Sequence, residues 1–286
     1  MKRLGLIGNP LHHSLSPEMH TVFLAENGID GEYNRLETEA KHLDERIFYL
    51  IQNKYDGFNI TIPFKADIIS YLTEISDDAA QIGAVNTVKI RDGKLLGYNT
   101  DGIGFIQSLL NKNVGIENSS ATIIGAGGAA RAVVFGLIKN GIKELTIINR
   151  SADRAFALIQ DVRKLTRFRR AKYIEWDENS IKQASQDTDI LVNSTSIGMW
   201  PKVQDTPVLF EKNMGNCVVV DLVYNPLKTE FLKMAKDRGA LCIDGLDMFV
   251  YQGVEALQIW TGQEIKFDYD KLRRFLIQKL ENYGRS

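Results

Sequence analysis

Along the first hundred positions the apolar residues switch between two periods. RLGLIG (3–8) is almost continuously apolar or small, which suits a buried strand. SPEMHTVFLAENG (16–28) spaces its apolar residues as a helix does, and a charged helical stretch follows through Ile51. GFNITIP (57–63) then returns to strand character. Within it Asn59-Ile60-Thr61-Ile62 alternates polar with apolar, so Asn59 and Thr61 share one face and both isoleucines are expected in the core. After Asp101 a helix pattern places Phe105, Leu109 and Leu110 on related faces, and NKNVGIENSS (111–120) reads as a turn or linker. From Ala121 the pattern restarts as strand ATIIG, a Gly-rich turn, helix ARAVVFGLIKNG stopped by Gly141, and strand ELTIINR. That is one complete βαβ unit. Further apolar runs in DILVNST, NCVVVDLV and GALCIDG, each separated by helix-length stretches, predict a doubly wound parallel sheet. The tail from Met248 to Gly284 reads mostly as helix.

The chain has 286 residues, and at about 150 residues per domain that suggests about two domains. Charge is balanced, with 35 Lys and Arg against 36 Asp and Glu for a net charge of −1. Duplex nucleic acid and anionic membranes call for a basic surface that this chain lacks, so the expected partner is a small molecule. RKLTRFRRAK (163–172) carries six cations, but charge following an amphipathic helix usually forms a solvated face. No apolar run approaches the roughly 18 residues of a membrane span. Cys217 and Cys242 sit in strand-like runs as reduced core thiols, and the four histidines follow no zinc pattern. The expectation is a cytoplasmic, metal-free protein, with a second copy of itself in a homodimer as the one macromolecular partner left open.

Gly125-Ala126-Gly127-Gly128-Ala129-Ala130 is a G-x-G-x-x-A fingerprint placed between a strand and a helix. There Gly125 makes the tight turn, Gly127 admits a pyrophosphate close to the backbone, and Ala130 allows close helix packing. The next strand ends at Asn149-Arg150-Ser151, without the carboxylate that would bind a ribose 2′-hydroxyl. Arg150 and Arg154 can instead clamp a 2′-phosphate, which favours NADP over NAD, unless Asp153 occupies them as an ordinary surface pair. Pro63 suits the first turn of a helix, which would set Lys65 at a helix N-terminus. The macrodipole disfavours a cation there and readies the amine for acid–base work near neutral pH. Asp101 reads as an N-cap from spacing alone, and Asn86 as a turn residue. Ser14 to Pro17 looks like an N-cap with proline at N1, whose hydroxyls could also hold a carboxylate.

GNPLHHSLSP, NITIPFK, GAVNT, GYNTDG, GAGGAAR, NRSADR and DGLDMFVYQG, in this order from residue 5 to about 262, together resemble the shikimate dehydrogenase family. The resemblance implies reversible reduction of 3-dehydroshikimate to shikimate with NADPH, in the pathway of aromatic amino-acid biosynthesis. It implies an N-terminal α/β substrate domain over 1–110, completed by helices 246–286, and a Rossmann-type doubly wound NADP-binding domain over 111–245. Lys65 and Asp101 match the catalytic pair, the lysine exchanging a proton with the reacting oxygen and the aspartate orienting and tuning it. Ser14 and Ser16 match the carboxylate site with Tyr224 nearby, and Asn59, Thr61, Asn86 and Gln252 match residues around the ring hydroxyls. Gly125, Ala126, Gly127, Gly128 and Ala129 match the phosphate loop, and Asn149, Arg150, Ser151 and Arg154 the adenosine-phosphate clamp. Asp77, Leu222 and Gly245 match positions near the nicotinamide. GLDM stands where GLGM is usual, so Asp247 adds a carboxylate that either weakens cofactor binding or points outward. A quinate or dual quinate/shikimate enzyme is the alternative within the family, although TIPFK is unlike the SMPNK of relatives with broader substrate use. A non-catalytic Rossmann metabolite sensor is the alternative outside it.

Overall fold

The computed structural model describes residues 1–186, 188–210 and 213–283, so residues 284–286 of the expected helical tail lie outside them. The chain forms two compact units, one from residues 1–100 and 252–286, the other from 101–251.

In the first unit the order is β1 (Lys2–Gly8), α1 (Ser16–Glu26), β2 (Gly31–Glu37), α2 (Leu43–Gln52), β3 (Gly57–Ile60), β4 (Glu74–Ile75), α3 (Asp77–Ile82), β5 (Thr87–Arg91) and β6 (Lys94–Tyr98). They build one mixed sheet in the order β2-β1-β3-β5-β6-β4. β1 runs parallel to β2 and β3, whereas β5 is antiparallel to both β3 and β6. Phe58, Phe64, Ile68, Leu50 and Val88 centre its core. β2 and the β5–β6 hairpin were not legible from the apolar pattern. β2 is a half-exposed edge strand, and the hairpin's signal was its turn, where Asp92 and Gly93 both take positive φ (54° and 75°).

The second unit runs α4 (Asp101–Leu110), β7 (Ser120–Ile124), α5 (Gly128–Lys139), β8 (Glu144–Asn149), α6 (Ala152–Leu165), β9 (Ala171–Glu175), α7 (Glu178–Gln186), β10 (Ile190–Asn193), β11 (Val218–Asp221), α8 (Glu230–Asp237) and β12 (Leu241–Ile243). Every strand pairing in its sheet is parallel, in the order β12-β11-β10-β7-β8-β9. Strand order reverses between β7 and β10, and ligands of such sheets bind at the carboxyl ends of the strands beside that point.

α9 (Gly245–Thr261) carries the chain back to the first unit, where α10 (Tyr269–Tyr283) follows. The return is fixed by Trp260 Nε1, which donates to the Val88 carbonyl at 2.9 Å, and by Lys271 and Glu26, paired at 2.7 Å. The outward crossing falls at 100/101, ten residues before the expected domain boundary at 110. Its cause is the packing of α4 on α5. A Cβ on Gly102 would stand 3.0 Å from the Ala132 carbonyl, and one on Gly136 would stand 3.3 Å from the Gly102 carbonyl. Two glycines thus let α4 approach α5 backbone to backbone. Among the described residues no helix is long and apolar enough to cross a membrane.

Candidate active site

In the first unit a buried polar net lies where β3, β5 and the loop after β6 meet. Asn59 Nδ2 donates to the Asn86 carbonyl (3.1 Å) and to Thr87 Oγ1 (3.0 Å), while its Oδ1 accepts from the Tyr33 hydroxyl at 2.7 Å. Asn86 Oδ1 accepts from the Thr100 amide (2.8 Å) and its Nδ2 donates to Thr100 Oγ1 (2.9 Å), with Gln252 Oε1 3.5 Å from the same hydroxyl. The amide orientation of Asn59 follows from this arrangement, because the Asn86 carbonyl can only accept and Tyr33 must therefore donate. Tyr33 stacks almost parallel on His20, at 4.4 Å and 9° between rings. His20 is fully buried, neither ring nitrogen reaches a hydrogen-bond partner, and burial drives its pKa down to about 3. The imidazole is therefore neutral at any working pH.

Ser14 and Ser16 point their hydroxyls at each other, 3.2 Å apart, at the start of α1. Neither caps the helix. Leu15 holds the cap position without a side-chain bond, Pro17 follows, and both hydroxyls stay close to the positive end of the helix. β3 ends at Ile60, and Ile62 is 66% exposed rather than in the core. The expected helix after Pro63 is also absent. Residues 62–66 form a turn, followed by a single 3₁₀ segment, Asp67–Tyr71. Lys65 is half-buried in that turn, anchored by its own carbonyl, which accepts from Val85 N at 2.7 Å. The helix whose dipole the sequence places at Lys65 is therefore missing. The exposed Asp77 opens α3 behind the Ser76 cap in this same unit.

The second unit holds the other expected residues. Asp101 is the first residue of α4 and is buried. Gly125 turns β7 toward α5 with φ at +116°, and a Cβ there would meet Ser194 Oγ at 2.5 Å. Gly127 faces open space, with no atom within 4 Å of an added Cβ, so the backbone can receive a phosphate there. Gly128 and Ala129 begin α5 immediately after Ala126 and Gly127. Asn149 Nδ2 donates to the Ser151 carbonyl (2.8 Å), and Ser151 caps α6 by accepting from the Arg154 amide (3.4 Å). Arg150 and Arg154 are exposed, and among the described residues neither guanidinium is held in an ion pair, so Asp153 does not occupy them. Leu222 follows β11, and Gly245 opens α9 against the Leu222 carbonyl. Tyr224 stacks on Phe249 with ring centroids 4.8 Å apart. Asp247 points inward. It is 2% exposed and pairs with Lys112 Nζ at 3.6 Å, which joins the turn after α4 to α9. His20, Tyr33, Thr87 and Thr100 escaped the sequence reading, since a buried polar residue leaves no periodic trace.

A doubly wound sheet with an open Gly-rich turn and two free arginines after its second strand defines a dinucleotide-dependent oxidoreductase, with a buried polar net in the other unit. Residues 6–88 match the shikimate dehydrogenase substrate binding domain, 108–222 the shikimate/quinate 5-dehydrogenase family and 245–271 the shikimate 5′-dehydrogenase C-terminal domain. The shikimate dehydrogenase (NADP(+)) of Bacillus cytotoxicus is 41% identical over 98% of this chain and 99% of its own length. A crystal structure of a shikimate dehydrogenase with NADP+ superposes with a TM-score of 0.91 at 39% identity, covering 98% of this chain and 96% of its own. The Thermus thermophilus enzyme with NADP(H) and shikimate gives 0.83 at 33% identity, over 93% and 95%. The chain belongs to the shikimate dehydrogenase family.

Proposed function

We propose that this protein interconverts 3-dehydroshikimate and shikimate with NADP(H), using Lys65 and Asp101 as its catalytic pair. The observation that carries the reading is the joint presence of the Asn59–Asn86–Thr100 net in one unit and the Gly125–Gly127 turn with Arg150 and Arg154 in the other. The nucleotide residues fit a 2′-phosphorylated dinucleotide, because the space over Gly127 admits phosphate and the two exposed guanidinium groups suit a dianionic 2′-phosphate. Bound NADPH supplies the hydride that reaches the carbonyl carbon. Lys65 gives its proton to the carbonyl oxygen as that carbon is reduced, and takes it back in the oxidation direction. Asp101, buried at the head of α4, orients the lysine toward that oxygen. Ser14 and Ser16 bind the substrate carboxylate with Tyr224. Asn59, Thr61, Asn86 and Gln252 bind the ring hydroxyls, and the net rejects analogues that would leave its polar groups unpaired. Gly125, Ala126, Gly127, Gly128 and Ala129 cradle the pyrophosphate, and Asn149, Arg150, Ser151 and Arg154 hold the adenosine phosphate. Asp77, Leu222 and Gly245 border the nicotinamide.

We place the protein in the cytoplasm, acting on small molecules without nucleic-acid or membrane partners. The near-neutral charge and the unpaired Cys217 and Cys242 support this. Sedimentation distinguishes the monomer from the homodimer. The deciding assay offers shikimate and quinate, each with NADP and with NAD. Fast turnover with shikimate and NADP alone is expected, and failure with shikimate while quinate turns over would reassign the substrate. Lys65→Ala should lower kcat by about 10²–10⁴-fold with NADP affinity unchanged, and an unaltered kcat removes Lys65 from its role.

A further inference from the structure

Asp221, the last residue of β11, has no solvent exposure and sits at the centre of a second polar net. Its Oδ1 accepts from Asn193 Nδ2 and from the Val223 amide, both at 3.0 Å, and its Oδ2 accepts from Thr229 Oγ1 at 2.6 Å. Asn193, the last residue of β10, also donates to the Ile197 carbonyl at 3.1 Å, and its Oδ1 accepts from the Thr195 amide and hydroxyl at 3.1 and 2.6 Å. One carboxylate thus ties together the two turns that leave adjacent strands at the carboxyl edge of the sheet. Both turns touch the glycines of the nucleotide site. Ser194 donates its hydroxyl to the Ile124 carbonyl at 2.7 Å and packs on Gly125, while the Leu222 carbonyl packs on Gly245.

An asparagine could accept and donate in this place without a charge. Burial raises the Asp221 pKa to about 6, and the bonds from Thr229, Val223 and Asn193 offset only part of that rise. The charged group that acts on it is Asp244, just beyond β12, which raises it further. β10 presents Asn193 and the start of α8 presents Thr229, neither of which titrates. At neutral pH the site therefore keeps a buried anion at the strand end beside Leu222.

We propose that Asp221 is a positioning residue for the nicotinamide end of the cofactor. It fixes turns 194–197 and 222–223, and its charge makes that end prefer the oxidised, cationic nicotinamide to the reduced, neutral one. The proposal rests on the assignment of Leu222 and Gly245 to the cofactor. Its test measures dissociation constants of NADP+ and NADPH at pH 8 and pH 5.5, without substrate, by NADPH fluorescence and competition. The 2′-phosphate also titrates near pH 6, but both redox forms carry it, so the ratio of the two constants isolates Asp221. Asp221→Asn should weaken NADP+ by on the order of tenfold and NADPH by much less. The wild type should show a smaller loss of the same selectivity, about threefold, on going to pH 5.5, and the variant should not. Equal losses for both forms, or none, overturn the proposal. Gly245→Ala, whose methyl meets the Leu222 carbonyl, reports on the underlying assignment. If it binds both forms as the wild type does, the assignment fails and the proposal falls with it. If it weakens binding while Asp221→Asn changes nothing, only the proposal falls. Should Asp221→Asn not fold, Thr229→Val should move the midpoint of the NADP+/NADPH ratio to higher pH and Thr229→Ser should restore it. An unmoved midpoint overturns the proposal.

Discussion

Burial holds the Asp221 carboxyl at about 6 against an ordinary 3.8, so ionising it works against the fold. With the folded value raised, the stabilising contribution is complete below pH 3.8 and is lost as pH rises through 6. The gap is worth about 3 kcal/mol. Denaturant titrations should therefore find the wild type gaining about 2–3 kcal/mol relative to Asp221→Asn between pH 7 and pH 4. A pH-independent difference between the two proteins would show that the native carboxyl titrates as it does in the unfolded chain, with no raised pKa. Little of this was visible in NCVVVDLV, where one aspartate after three valines looks like any strand end. Lys65 is the reverse case. Its motif exposed the residue, while the expected helix around it did not form, because residues 62–66 turn instead and only a 3₁₀ segment follows.

At the scale of elements, Gly102 and Gly136 fix the distance between α4 and α5 and so the position of Asp101 at the head of α4. Gly136→Val inserts two methyl groups where a single Cβ already meets the Gly102 carbonyl and Ile106 at 3.3 Å. It should cost about 1–3 kcal/mol in thermal or urea unfolding. Because the displaced helix carries Asp101, kcat should also fall more than NADP affinity does, and equal losses would separate α4 from catalysis. The βαβ units of the nucleotide half were readable because buried parallel strands are continuous apolar runs and their turns need glycine. β2 was not, since an edge strand with alternating exposure resembles charged helix in so short a span. Ile62 shows the same limit. The alternation of NITI continues past Ile60, but the strand does not, and Ile62 emerges into solvent.

For the whole molecule, one buried group in each unit answers acid in the opposite direction to the other. His20 is held down to about 3 from 6.5, so its neutral form stabilises the first unit above pH 6.5, and that contribution is lost as pH falls toward 3. It is worth about 5 kcal/mol in all. Over much of the same range the second unit gains from Asp221. Limited proteolysis near pH 4.5 should therefore release fragments of residues 1–100 and 252–283 first, and His20→Phe should delay them. Earlier cleavage within 101–251 would contradict this ordering.

The bond between Thr100 and Gln252 has a further consequence. The chain leaves the first unit after one of these residues and re-enters at the other, so both ends of the long excursion between them are anchored at neighbouring points. A few Gly and Ser residues could span that gap. Residues 1–100 so joined to 252–286 should give a cooperatively melting miniature that retains the Tyr33–Asn59–Asn86 net and binds no NADP, as circular dichroism and cofactor titration would show. In chain order the substrate half is a single fold interrupted once, with the redox half inserted between residues 100 and 252.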